Sequence, residues 1–120
     1  MNIKRIIKYS IVLLMIIIIS FLVYRYNYAP GKYDQFAECL TEKGAVMYGT
    51  EWCPHCQTQK EMFGNSFKYI NYKDCDYNKV LCNLNNVTGY PTWIYKDKVL
   101  NGEQPLELLA SVTGCEIDKQ

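Results

Sequence analysis

Sixteen uncharged residues, Tyr9 to Tyr24, dominated by Ile, Leu, Val and Met, follow Lys4, Arg5 and Lys8 and end at Arg25. Only Ser10 and Ser20 are available for a polar face, so a buried core helix does not account for the run and a membrane segment does. It is longer than a usual signal-peptide core and shorter than the roughly 20 residues of a typical span. Ile6 and Ile7 extend it if Lys8 snorkels to the headgroups, and no small-residue pair in a cleavable spacing follows, Ala29 preceding Pro30. An uncleaved anchor is therefore preferred to a cleaved signal. The expected division is a basic cytosolic N-terminus over 1–8, a transmembrane signal anchor over 9–24, a tether over 25–33 and one folded domain over 34–120. The cationic flank outweighs Arg25 and Lys32, which places the domain on the non-cytosolic side, in a periplasm, an extracellular space or a lumen.

Beyond the tether the periodicity changes. Asp34 is suited to cap a helix through about Lys43 with Phe36, Ala37 and Leu40 on one face and Gly44 as its stop. Ala45 to Tyr48 suits a buried strand, and a helix is expected from the turn at Cys53 to about Phe63. Tyr69 to Tyr72 reads as a second strand and Lys79 to Asn85 as a short helix. Thr92 to Tyr95 with Val99 to Leu100 reads as a hairpin turning at Asp97, and Pro105 opens a last helix through Val112, stopped by Gly114. This order predicts an α/β domain, a small mixed sheet covered by helices.

A formal charge of +1 on 120 residues, with Lys and Arg interleaved with Asp and Glu, forms no basic stripe, so nucleic acid is not an expected partner. The six cysteines, Cys39, Cys53, Cys56, Cys75, Cys82 and Cys115, exceed ordinary cytosolic usage and point to an oxidising compartment.

The chemistry is concentrated in Trp52-Cys53-Pro54-His55-Cys56. Two cysteines at this spacing on the first turn of a helix can close a small ring, and the helix N-terminus favours a thiolate at Cys53. Cys53 is then the exposed attacking sulfur and Cys56, one turn inside, resolves the mixed disulfide. Pro54 fixes the first turn, and His55 is expected to bring a donor or a positive charge beside Cys53, which makes the disulfide more oxidising. A c-type haem site would need His where Gln57 stands. Structural zinc would need Cys75 and Cys82 to join Cys53 and Cys56, at an unusual spacing, and so short a disulfide loop has little purely structural value. Neither a metal nor another cofactor is expected.

Together with Val87-Thr88-Gly89-Tyr90-Pro91-Thr92, the cysteine motif resembles the thioredoxin superfamily. The resemblance implies a thioredoxin-like fold in which Pro91 is cis, faces the pair and holds the Tyr90 backbone against Cys53 as an edge for substrate. Trp52 and Tyr90 are the expected substrate contacts. From Phe36 to Cys115 the chain is similar to the thioredoxin-like domains associated with bacterial and plant homologues of vitamin K epoxide reductase. The matching stretches are Phe36-Ala37-x-Cys39-Leu40, Tyr48-Gly49-x-x-Trp52-Cys53-Pro54-His55-Cys56, Gly89-Tyr90-Pro91-Thr92-Trp93 and Gly114-Cys115. That likeness implies transfer of disulfides from a quinone-linked membrane oxidase to cysteine-containing secreted or membrane proteins. The fused form carries a four-helix quinone-binding part where this sequence has one apolar segment, so the oxidase is expected as a separate partner. Ordinary thioredoxins carry a buried acid where this chain has Met47, which leans the reading toward an oxidase and away from a reductase or isomerase.

Cys75 and Cys82 are near enough in sequence to bridge locally, as a structural disulfide or a relay pair, and Cys39 then pairs with Cys115 by elimination. Asn86-Val87-Thr88 matches a glycosylation acceptor, a tripeptide common by chance.

Overall fold

The computed structural model describes residues 2–118; Met1, at the head of the expected basic segment, and Lys119 and Gln120, at the end of the expected domain, lie outside the described residues. Helix α1 (Ile3–Tyr28) buries none of its residues against the rest of the chain. It overruns the expected 9–24 segment at both ends. Residues 25–28, expected in the tether, continue the helix because no Gly or Pro interrupts it before Pro30. The connection is thereby reduced to five residues, 29–33.

The domain begins with α2 (Asp34–Glu42), which buries Phe36, Ala37 and Leu40 as its apolar spacing requires. Asp34 is its first residue and not its cap. Its carboxylate turns back to accept the Gly31 N–H at 3.0 Å, still placing negative charge at the helix N-terminus. After α2 come β1 (Val46–Gly49), α3 (Pro54–Phe63) and a 3-10 helix (Gly64–Tyr69). The chain continues through β2 (Tyr72–Asp74), α4 (Lys79–Leu84), β3 (Thr92–Tyr95), β4 (Lys98–Asn101) and α5 (Leu106–Thr113). The sheet order is β2-β1-β3-β4, with β1 parallel to β2 and antiparallel to β3, and β3 antiparallel to β4. This four-stranded mixed sheet with helices around it is the expected thioredoxin-like α/β fold.

The second strand begins three residues later than expected, at Tyr72 instead of Tyr69. Tyr69 closes the 3-10 turn, and the Thr41 hydroxyl fastens it to α2 by donating to the Tyr69 carbonyl at 2.7 Å and accepting the Asn71 N–H at 2.9 Å. Two side-chain layers follow from the register. Met47 pairs with Trp93, and both are fully enclosed with Phe36, Leu40, Phe63 and Leu109. Phe63 centres the layer, 6.0 Å from both the Phe36 and the Trp93 ring centroids; such pairs contribute about 0.5–1.5 kcal/mol each beyond burial. On the other face Val46, Tyr48 and Ile94 pack with Cys75, Cys82, Val87 and Tyr90.

Gln59 is a fully buried polar residue. Its side-chain carbonyl accepts from Trp93 Nε1 at 3.2 Å and Gln104 N at 2.6 Å, and its amide donates to the Gln104 carbonyl at 3.1 Å. These bonds tie α3 to β3 and to the segment before α5, satisfying buried groups that would otherwise cost about 1–3 kcal/mol each. Disulfides join Cys39 to Cys115 and Cys75 to Cys82.

Candidate active site

Cys53 is the N-cap of α3, extended in backbone, with Pro54 at the first helical position where no N–H is needed. The Cys56 N–H donates to Cys53 Sγ at 3.2 Å, and the Cys53 thiol lies 3.6 Å from the Tyr90 carbonyl. The Tyr90–Pro91 bond is cis, and Pro91 is buried beside the pair. One sulfur is thus held by a helix N-terminus on one side and a strand-leading carbonyl on the other. Cys53 and Cys56 are both free thiols, whereas the other four cysteines are bridged.

Cys53 was expected to be exposed, and it is only 4% exposed. The Tyr90–Pro91 backbone covers its sulfur, and the Trp52 ring stands edge-on to Tyr90 at 6.1 Å. Trp52 itself is 67% exposed, its indole N–H donating to Asp76 at 2.9 Å. His55 departs from expectation as well. Its Nδ1 is paired with the Glu103 carboxylate, on the segment leading to α5, and no hydrogen bond joins it to Cys53 among the described residues. As the second residue of α3, His55 projects outward from the helix start while Cys56 turns inward.

Cys56 is fully enclosed. Burial, with the neighbouring Cys53 sulfur adding to it, pushes its thiol up to about 12, while the Thr50 backbone and Lys60 pull weakly the other way. Its fit against β1 depends on Gly49. A Cβ there would stand 2.8 Å from Cys56 Sγ and 3.2 Å from the Tyr72 ring, so no larger residue lets α3 approach the strand this closely.

The remaining sequence candidates lie outside this centre. Cys75–Cys82 closes the segment between β2 and α4 on the opposite sheet face, so the four-thiol zinc arrangement is not assembled. Cys39–Cys115 ties α2 to the chain after α5, and nearby Lys43 donates to the Thr113 and Gly114 carbonyls at the end of α5. Among the described residues no group of three or more His, Cys, Asp or Glu side chains is placed to hold a metal. The sequence reasoning did not single out Glu103, Lys60 or Tyr72. Lys60 alone carried a signal, one helical turn from Cys56 on the same helix.

No protein-family model matches the chain. It is 45% identical over 92 residues to the thiol-disulfide oxidoreductase LTO1 of Arabidopsis thaliana, a match covering 69% of this chain and 24% of the relative. It is 33% identical over 90 residues to protein disulfide isomerase-like 2-2 of Oryza sativa subsp. japonica, covering 62% of this chain and 24% of the relative. The chain thus spans about a quarter of the length of these curated relatives. A crystal structure of a poplar thioredoxin h superposes with a TM-score of 0.44 at 17% identity, over 66% of this chain and 82% of that one.

Proposed function

We propose that this chain, which its fold and relatives support as thioredoxin-like, is a membrane-tethered thiol:disulfide oxidoreductase that passes disulfides to cysteine-containing secreted or membrane proteins. The observation that carries the proposal is the double hold on one sulfur, the Cys56 N–H at 3.2 Å and the Tyr90 carbonyl at 3.6 Å from Cys53 Sγ. When the pair is a disulfide, a substrate thiolate attacks Cys53, the bond to Cys56 breaks, and its electron pair leaves with the Cys56 sulfur, which takes up a proton. A second substrate thiolate then attacks the substrate sulfur bonded to Cys53 and releases Cys53. Two electrons have moved to the pair and the substrate holds a disulfide.

Tyr90 and Trp52 border the route to Cys53, and the backbone before Pro91 offers an edge along which an extended peptide can pair. Met47, fully buried on β1, leaves that strand without the acidic group that thioredoxins use there, which favours oxidation of substrates. Re-oxidation is assigned to a separate quinone-linked membrane enzyme similar to vitamin K epoxide reductase. Helix α1 supplies the anchor, with the domain on the non-cytosolic side.

Equilibrating the full chain in detergent with glutathione tests the reading. The expected potential lies well above the roughly −270 mV of thioredoxin, and Cys56→Ser accumulates a mixed disulfide through Cys53 that Cys53→Ser cannot form. Exchange that survives Cys53→Ser overturns the proposal. A potential near that of thioredoxin favours instead a tethered reductase or an isomerase, the rice relative being named protein disulfide isomerase-like.

A further inference from the structure

Resting on the exchange chemistry just proposed, one step in it has no provider so far: a proton must reach the enclosed Cys56 sulfur when it leaves as a thiolate, and depart when it attacks. Near that sulfur lies a buried polar atom that lacks a hydrogen-bond partner, Tyr72 Oη. The same missing Cβ of Gly49 that would touch Cys56 Sγ at 2.8 Å would touch Tyr72 Oη at 3.4 Å. Sulfur and phenol therefore face the same small gap, which only a glycine leaves open. A buried hydroxyl without a partner is destabilising, and a purely space-filling Phe would not carry that penalty.

The phenol is connected outward. Lys60 Nζ stands over the Tyr72 ring, 4.3 Å from its centroid, and donates to the Glu51 carboxylate at 2.6 Å. Glu51 is exposed, and its carboxyl is held below the ordinary range mainly by Lys60. Lys60 is largely covered, so the three residues run from solvent at Glu51 to the enclosed sulfur.

The geometry points to Tyr72 as the group that carries the proton to and from Cys56, fed from solvent through the Lys60–Glu51 pair. When the disulfide opens, the electron pair stays on Cys56 Sγ, the Tyr72 O–H gives its proton to that sulfur, and Lys60 returns one to the phenolate oxygen in the same shift. Water then reprotonates Lys60. When Cys56 attacks a mixed disulfide the protons run the other way. The charged and titratable groups bearing on Tyr72 are Asp74 on its own strand, Glu51 from the turn before α3, and Cys53, Cys56 and Lys60 from α3 and its cap. Burial first, then the two carboxylates, push the phenol's own ionisation upward, so it stays protonated at neutral pH and ready to donate.

The test is single-turnover oxidation of a dithiol peptide by the disulfide form of the full chain in detergent, quenched by alkylation, from pH 5 to 9 in H2O and D2O. Tyr72→Phe, which keeps the ring, is expected to slow the reaction roughly ten- to a hundredfold, at or below the usual reach of general acid catalysis, and to abolish its solvent isotope effect. Glu51→Gln, at an exposed position, is expected to remove the low-pH limb of the profile, where that carboxylate takes up its proton. Wild-type rate and pH profile in both variants overturn the relay. A wild-type chain that exchanges no disulfide sinks the oxidoreductase reading itself, which keeps the two failures apart.

Discussion

At Cys56 a single thiol couples the redox state of the pair to the stability of the fold. Its ordinary value of 9.0 rises to about 12 in the folded, reduced chain, chiefly because the sulfur is enclosed. A raised value means that the folded state keeps the proton more tightly than the unfolded chain does. Stability of the reduced form is therefore intact below about pH 9 and is lost as pH climbs from there toward 12. The oxidised form has no such thiol and lacks this loss, while Tyr72, also shifted upward, titrates in both forms and largely cancels from their difference. Melting the full chain in both redox states from pH 7 to 10.5 should show the reduced form falling away from the oxidised form only above about pH 9. Parallel curves would mean that Cys56 is solvated. The spacing of the two cysteines was readable in the sequence because it is local. The Tyr90 backbone against Cys53, 37 residues away, was expected from the family resemblance and not from local spacing; that it leaves Cys53 only 4% exposed was not expected, and neither was the pairing of His55 with Glu103, 48 residues distant.

Element by element, the helices followed their apolar spacing closely and the second strand did not. Tyr69-Ile70-Asn71-Tyr72 reads as a short apolar strand, yet Tyr69 closes a 3-10 turn fastened to α2, Ile70 is buried behind it, and the β2 register with β1 starts at Tyr72. A four-residue apolar run cannot separate those outcomes when a partner 30 residues away supplies the bond, as Thr41 does for Asn71. The two disulfides brace different elements, and unequally. Cys39–Cys115 spans 76 positions and Cys75–Cys82 only 7. By loop-closure entropy the long bridge is worth about 4.5 kcal/mol and the short one about 2.5. The pair Cys39→Ala/Cys115→Ala should accordingly lower denaturant stability more than Cys75→Ala/Cys82→Ala, by about 2 kcal/mol. The short bridge lies with Tyr48, Val87 and Tyr90, so its loss should reach the Tyr90–Pro91 loop and slow exchange even where the fold survives. Equal stability losses with unchanged exchange rates would contradict both statements.

For the whole molecule, the decisive question is what surrounds α1. Twenty-six helical residues reach about 39 Å, against a hydrocarbon core of about 30 Å, so the helix can cross with its Lys and Arg flanks at the headgroups. No part of the folded domain covers it, and a fully exposed apolar helix of this length is unfavourable in water. Each central Leu, Ile, Phe or Val contributes about 0.3–0.6 kcal/mol to insertion and a central Arg opposes it by about 2.5–3.5, so two arginines offset most of what the run supplies. The unaltered chain is expected to stay with membranes through alkaline extraction, and Ile16→Arg with Ile19→Arg to release it. The released form should still exchange disulfides with a soluble dithiol, because the pair, Pro91 and the Gln59 core lie wholly within residues 34–118. Protease applied to the non-cytosolic face of sealed membranes should remove the domain of the anchored chain while sparing residues 2–8. Protection of the domain would reverse the orientation that Lys4, Arg5 and Lys8 imply, and with it the supply of secreted substrates. Extraction of the unaltered chain would remove the anchor from the proposal and leave the Cys53–Cys56 chemistry standing without it.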